Sequence, residues 1–203
     1  MHKSKISIIN DDKIGDISKN LFGSFIEHLG RAVYGGIYEP LNSNSDEDGF
    51  RTDVLDVIRE LEVPLVRYPG GNFVSSYFWE DGVGSKSTRN KKLEPAWRSV
   101  ETNEFGTDEF MKWCEKVGTS PMLAVNLGTR GLGDALNYLE YCNVPGGTYY
   151  SDMRISNGHF EPYKVKYWCL GNEMDGKWQI GYKSAAEYAD LAAKTGKAMK
   201  TVD

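Results

Sequence analysis

The chain has 203 residues, 40% of them apolar, 26% charged and 12% aromatic, too rich in ring and aliphatic surface for disorder and too interrupted for a membrane span. Its 24 basic and 29 acidic side chains leave a net charge of −5, which argues against a nucleic-acid or membrane partner and for a neutral, polar ligand. The first dozen residues lack the apolar stretch of a secretory signal, so a cytoplasmic location is expected.

Short apolar runs that end in small or polar residues predict four buried parallel strands, at 21–27, 65–68, 122–126 and 165–170. Helices alternate with them. After the first strand and a long loop, Val54, Ile58 and Leu61 follow helical spacing, and Pro64 closes that segment. Thr107 is expected to cap a helix carrying Phe110, Cys114 and Val117, with Gly118 ending it. A third helix is predicted from Asp134 to about Asn143, before the Pro145-Gly146-Gly147 break. Ser184-Ala185-Ala186-Glu187 reads as a capping box. It opens a fourth helix whose inward face is Tyr188, Leu191, Ala192, Thr195, Met199 and Val202.

This alternation implies an α/β fold with a parallel sheet covered by helices, either an open doubly wound sheet or a (β/α)8 barrel. The long, chemically loaded segments after strand ends, 28–49 and 70–106, favour the barrel, whose sites sit on such loops. Four units are half of one. The interior side chains, including Leu65, Val125 and Tyr167, are then expected to face a missing half, with strands one and four as open edges and self-association as the result.

The polar run 42–49 lacks EF-hand spacing and reads as a solvated loop, and Lys86 to Lys92 as a solvated basic loop. Cys114, Cys142 and Cys169 are widely spaced and read as reduced thiols, so no structural metal is expected. No phosphate-binding glycine loop appears, and no cofactor is expected.

Gly171-Asn172-Glu173 closes the fourth strand, where a carboxylic acid would point into the barrel mouth and could serve as a general acid. A surface cap is the plainer reading of that pair. Strict alternation sends Asn172 and Glu173 to opposite sides, so both can face one pocket only if the backbone bends there. The first strand ends at Glu27-His28. The second leads into Arg67-Tyr68-Pro69-Gly70-Gly71-Asn72, where Arg67 needs an anion, either a core or a catalytic carboxylate. Tyr34, Tyr38, Phe73, Tyr77, Phe78, Trp79, Trp97 and Trp178 fall in the loops beyond the strand ends. Rings beside Asn, Glu and Arg suit a sugar, although each alone also suits local packing.

Four segments, 22–34, 67–75, 124–131 and 168–176, closely resemble the α-L-arabinofuranosidases of glycoside hydrolase family 51. The resemblance covers essentially the whole chain. It implies a retaining hydrolase on a (β/α)8 barrel followed by a β-sandwich, with residues 16–203 as the N-terminal half of the barrel. Residues 1–15 would contribute a strand at Ile6 to Ile9 that joins the sandwich. By the same motif match, Glu173 is the expected acid/base and Arg67 the support of the nucleophile. Glu27, Asn72 and Asn172 are expected to bind arabinose hydroxyls, and Trp97 and Trp178 to wall the sugar subsites.

The family's nucleophile sits at the end of a seventh strand, outside these residues, and Glu27 lies three strands from Glu173, too far to replace it. The isolated chain is therefore expected to be inactive without a C-terminal partner that completes the barrel and sandwich. The complete form is expected to self-assemble and to act on arabinofuranosyl oligosaccharides. Two alternatives stay open here: another barrel glycosidase acting on β-linked xylan or glucan, and a non-catalytic half-barrel fragment.

Overall fold

The computed structural model describes residues 2–7, 9 and 13–203. A four-stranded parallel sheet organises it, in the order β1 (Ser24–Phe25), β2 (Leu65–Tyr68), β5 (Ser120–Val125), β6 (Tyr167–Leu170). Between β2 and β5 lies an antiparallel hairpin of β3 (Lys92–Glu94) and β4 (Ser99–Glu101). The helices are α1 (Thr52–Glu60), α2 (Thr107–Val117), α3 (Leu132–Asn143), α4 (Tyr149–Ser156) and α5 (Ala185–Val202). This is a run of consecutive strand–helix units, as a partial α/β barrel requires.

All four expected strands are present, the second with the expected limits and the other three with shifted ones. The first is cut to two residues because Leu21 belongs to a 3-10 turn over Lys19–Phe22, and Gly23 packs directly on the Leu65 carbonyl. Its ladder nevertheless continues, since Ile26 N–H donates to the Arg67 carbonyl at 3.0 Å. The fourth strand starts at Tyr167, not Val165. The Asn143 side chain takes both backbone groups of Val165, accepting from its N–H at 2.8 Å and donating to its carbonyl at 2.9 Å. Of the strand expected at Ile6 to Ile9, Ile8 lies outside the described residues, while Ile6, Ser7 and Ile9 are exposed and outside any strand.

Register assigns the two faces. Phe25, Arg67 and Met122 are aligned across β1, β2 and β5, and Met122 is aligned with Tyr167. This row lines the concave face, where Phe25 is 47% and Tyr167 37% exposed. Leu65 shares that face by alternation. Val125 does not. It alternates with Leu123, is aligned with Leu170 and lies buried in the core beneath the helices, which corrects its expected place in the interior.

The capping box of α5 is present: the Glu187 carboxylate accepts from Ser184 N–H at 2.8 Å, and Ser184 Oγ accepts from Glu187 N–H at 3.4 Å. Thr195 and Met199 are buried as expected, but Val202 is exposed. Thr107 is not a cap. It is the first helical residue, and its hydroxyl pairs with the Tyr138 hydroxyl at 2.9 Å. The 86–92 segment is solvated as expected except at Arg89, whose side chain is buried against Glu109 in a two-pronged ion pair and donates to the carbonyls of Gly84 and Asn103. In the 42–49 run, Asp46 and Asp48 are engaged by Lys116, and Asp48 also by Lys112, so lysine ammonium groups fill this acidic cluster. The three cysteines are free thiols.

Helix α4 is secured by Arg154, fully buried, which donates to five carbonyls, those of Tyr141, Val144, Pro145, His159 and Phe160, at 2.7–3.3 Å. It thereby satisfies acceptors at the end of α3, where a cation also complements the helix dipole. Arg154→Met strips five buried acceptors at once and should destabilise the chain by about 3 kcal/mol or more in urea unfolding. A loss under about 1 kcal/mol would show that water replaces the guanidinium without difficulty.

Candidate functional site

The site residues gather at the C-terminal ends of the strands. Arg67, the third residue of β2, points onto the concave face, with its guanidinium 4.7 Å above the centre of the Phe25 ring. One terminal nitrogen donates to the Gly70 carbonyl at 3.1 Å and to Asn172 Oδ1 at 2.5 Å. No carboxylate lies within ion-pair distance of Arg67 among the described residues, and its buried Nε has no partner there. Neither anion foreseen for it is thus supplied by these residues, and a neutral amide from the turn after β6 holds the guanidinium.

Beyond β6 the backbone does bend. Gly171 has φ +81° and Glu173 φ +46°, so the chain reverses over three residues instead of alternating. Asn172 turns to Arg67, while the exposed Glu173 carboxylate accepts from Trp178 Nε1 at 3.2 Å. Trp178 is 70% exposed.

Glu27 follows β1 and is buried, its Oε1 accepting from Phe73 N–H at 3.0 Å. Gly70 has φ +153°, and a Cβ there would stand 2.5 Å from Glu27 Cγ, so this turn admits no larger residue while Glu27 keeps its place. Asn72 opens a short 3-10 turn over Asn72–Ser75 and accepts from Gln179 Nε2 at 2.5 Å. Trp97 lies in the turn of the β3–β4 hairpin, where the Glu94 carboxylate accepts from the backbone N–H groups of Ala96 and Trp97. Cavities of about 610 and 640 Å³ lie on the helical side, lined by none of these residues.

Half of the eight loop aromatics fill the core. Tyr38, Phe73, Tyr77 and Trp79 are buried and form a ring layer above the strand ends. At its centre lies His28, unforeseen as a functional position, stacked 4.5 Å from Phe73. Its Nε2 pairs with the Tyr68 hydroxyl at 2.9 Å, and its Nδ1 stands 3.0 Å from Glu101 of β4. Glu101 also accepts from the Tyr34 hydroxyl and from Asn103 N–H. Burial pushes the Glu101 carboxyl up, but His28, Tyr34 and the Asn103 amide outweigh it and hold it below its ordinary value.

A family model described as "Alpha-L-arabinofuranosidase 1 domain" matches residues 57–202. The intracellular exo-alpha-(1->5)-L-arabinofuranosidase of Acetivibrio thermocellus is 59% identical over all 203 residues, which cover 40% of that protein. The enzyme of the same name from Halalkalibacterium halodurans is 62% identical over 191 residues, 94% of this chain and 38% of that protein. A solved family 51 alpha-L-arabinofuranosidase from Bifidobacterium longum superposes with a TM-score of 0.91 at 56% identity, covering 93% of this chain and 37% of its own. The chain thus spans about 40% of the length of the curated relatives it matches.

The Glu101 carboxylate carries a pH-dependent share of stability. A depressed carboxyl stabilises fully above its unfolded value, 4.5, and loses that contribution as pH falls through the lower folded value. Glu101→Gln should therefore cost about 2 kcal/mol near neutral pH, and its deficit relative to wild type should shrink below about pH 4. A deficit that stays constant across that range in urea titrations would show that Glu101 is not held as a carboxylate by His28 and Tyr34.

Proposed function

The chain belongs to the α-L-arabinofuranosidases of glycoside hydrolase family 51, and from that membership we propose that it supplies the acid/base half of a retaining arabinofuranosidase site. The observation that carries the reading is the backbone reversal after β6. It sends Asn172 to Arg67 and leaves the Glu173 carboxyl open at the strand-end mouth beside an exposed indole. In this reading Glu173 gives its proton to the glycosidic oxygen as the bond to the anomeric carbon breaks and a second carboxylate attacks that carbon. Glu173 then takes a proton from the water that releases the sugar.

Glu27, Asn72 and Asn172 offer the acceptors and donors that arabinose hydroxyls require, and Trp97 and Trp178 flank the sugar. Glu27 is not the attacking group. Glu173 and Glu27 follow the two edge strands of a four-stranded sheet, three spacings or roughly 14 Å apart along the sheet, whereas a retaining pair stands about 5–5.5 Å apart. The attacking carboxylate is assigned instead to polypeptide equivalent to the rest of the longer relatives, where the unpartnered Nε of Arg67 would receive it. That polypeptide also completes the barrel, and the isolated 203 residues are inactive in this account. The substrates are arabinofuranosyl oligosaccharides. The location is cytoplasmic, supported by relatives named intracellular, and the complete form self-assembles.

In the complete polypeptide, Glu173→Ala should slow substrates with poor leaving groups by about 10²–10⁴-fold. Activated aryl arabinofuranosides, which need little protonation, should be slowed less in their first step, and added azide should restore turnover by replacing the base-activated water. Equal losses on both substrate types, unrelieved by azide, would remove Glu173 from the role.

A further inference from the structure

Gln179 lies on the loop that follows Glu173, next to the exposed Trp178, yet it is buried. Its amide spans two partners on the loop after β2: Oε1 accepts from the Ser75 hydroxyl at 2.9 Å, and Nε2 donates to Asn72 Oδ1 at 2.5 Å. Ser75 is fully buried, and its carbonyl accepts from both the N–H and the hydroxyl of Thr129, so the platform under Gln179 is itself fixed from a third strand end. On the Gln179 side, Lys183 N–H donates to the Met174 carbonyl at 2.6 Å and Lys183 Nζ to the Gly181 carbonyl at 2.9 Å, closing the loop on itself.

The chemistry of this chain of bonds has a direction. An amide side chain offers one accepting and one donating end, and nothing in its shape decides which end faces a ligand. Once Gln179 has donated to Asn72 Oδ1, the accepting end of Asn72 is spoken for. The Nδ2 of Asn72 has no partner among the described residues and is not sealed from solvent. A group in that state is a hydrogen-bond donor held ready for an acceptor.

We propose that Gln179 is a positioning residue that fixes the amide sense of Asn72, so that Asn72 presents its N–H2 to a hydroxyl oxygen of the furanose while the neighbouring Glu27 carboxylate accepts. The inference rests on the sugar-binding reading of Asn72 given above and extends it to a residue that need not touch the sugar. It also ties the loop bearing Glu173 and Trp178 to the loop bearing Asn72, so the two sides of the subsite move as one unit.

The test uses the complete polypeptide and 4-nitrophenyl α-L-arabinofuranoside, with melting temperatures recorded for every variant. Gln179→Glu keeps the size and the accepting end but has no N–H for Asn72, and Gln179→Leu keeps neither end. Both should lower kcat/KM by about ten- to hundred-fold, the scale of one misdirected buried hydrogen bond. The loss should not add to that of Asn72→Ala: the double variant Asn72→Ala/Gln179→Leu should be no slower than Asn72→Ala alone.

Wild-type kinetics in Gln179→Glu would overturn the proposal, because a carboxylate could then serve Asn72 only by accepting, which means that Asn72 faces the sugar with its carbonyl. Full additivity in the double variant would overturn it too, as would a loss in Gln179→Glu that tracks only a fall in melting temperature. An inactive parent polypeptide would instead defeat the arabinofuranosidase reading itself, and this inference with it.

Discussion

A half-buried guanidinium needs compensation, and at the centre of this chain the compensation comes from two strands away. Arg67 leaves β2, passes the end of β5 and binds the amide oxygen of Asn172 beyond β6, while its own turn supplies the Gly70 carbonyl and β1 supplies the face of Phe25. Three of the four strand ends are fixed relative to one another by this one side chain. Opening any of these contacts would leave the sealed Nε side of the guanidinium with still fewer partners, so the arrangement resists local opening. Gly70, in the same turn, then lets the backbone close onto Glu27, so the ends of β1 and β2 are joined by steric contact as well.

Around this centre the support is aromatic and polar together. His28 follows Glu27 directly. It stacks on Phe73, which follows Asn72, and faces Glu101 on the hairpin that carries Trp97. Any displacement of the hairpin is therefore felt by the backbone on either side of Glu27. The acceptors at the mouth are thus placed by the same layer of rings that fills the space above the strands.

What the sequence made legible follows from where burial and polarity agree. The four parallel strands and the helices α1, α2, α3 and α5 announce themselves because apolar residues repeat at the right spacing and point inward. The β3–β4 hairpin escapes that reading because its polarity is inverted: Glu94 and Glu101 are buried while Leu93 and Val100 face solvent. Helix α4 escapes for a related reason, since the residues it buries are Ser151 and Arg154 and no apolar stripe marks it. At the site, Glu27, Asn72, Asn172 and Glu173 stand out as polar residues at strand ends within extended motifs. Gln179 carries no such signal, being one polar residue in a turn-rich loop, and only the tertiary structure brings it against Asn72 and Ser75.

The central claim is that the strand ends from β1 to β6 form one sugar-binding mouth with Glu173 at the scissile bond. A crystal structure of the complete polypeptide with an uncleaved arabinofuranoside bound tests it most directly. The account predicts the glycosidic oxygen within about 3 Å of a Glu173 carboxyl oxygen, at hydrogen-bond distance for an acid, with ring hydroxyls on Glu27, Asn72 and Asn172. A sugar seated elsewhere, with Glu173 facing solvent and Arg67 unchanged, would contradict it.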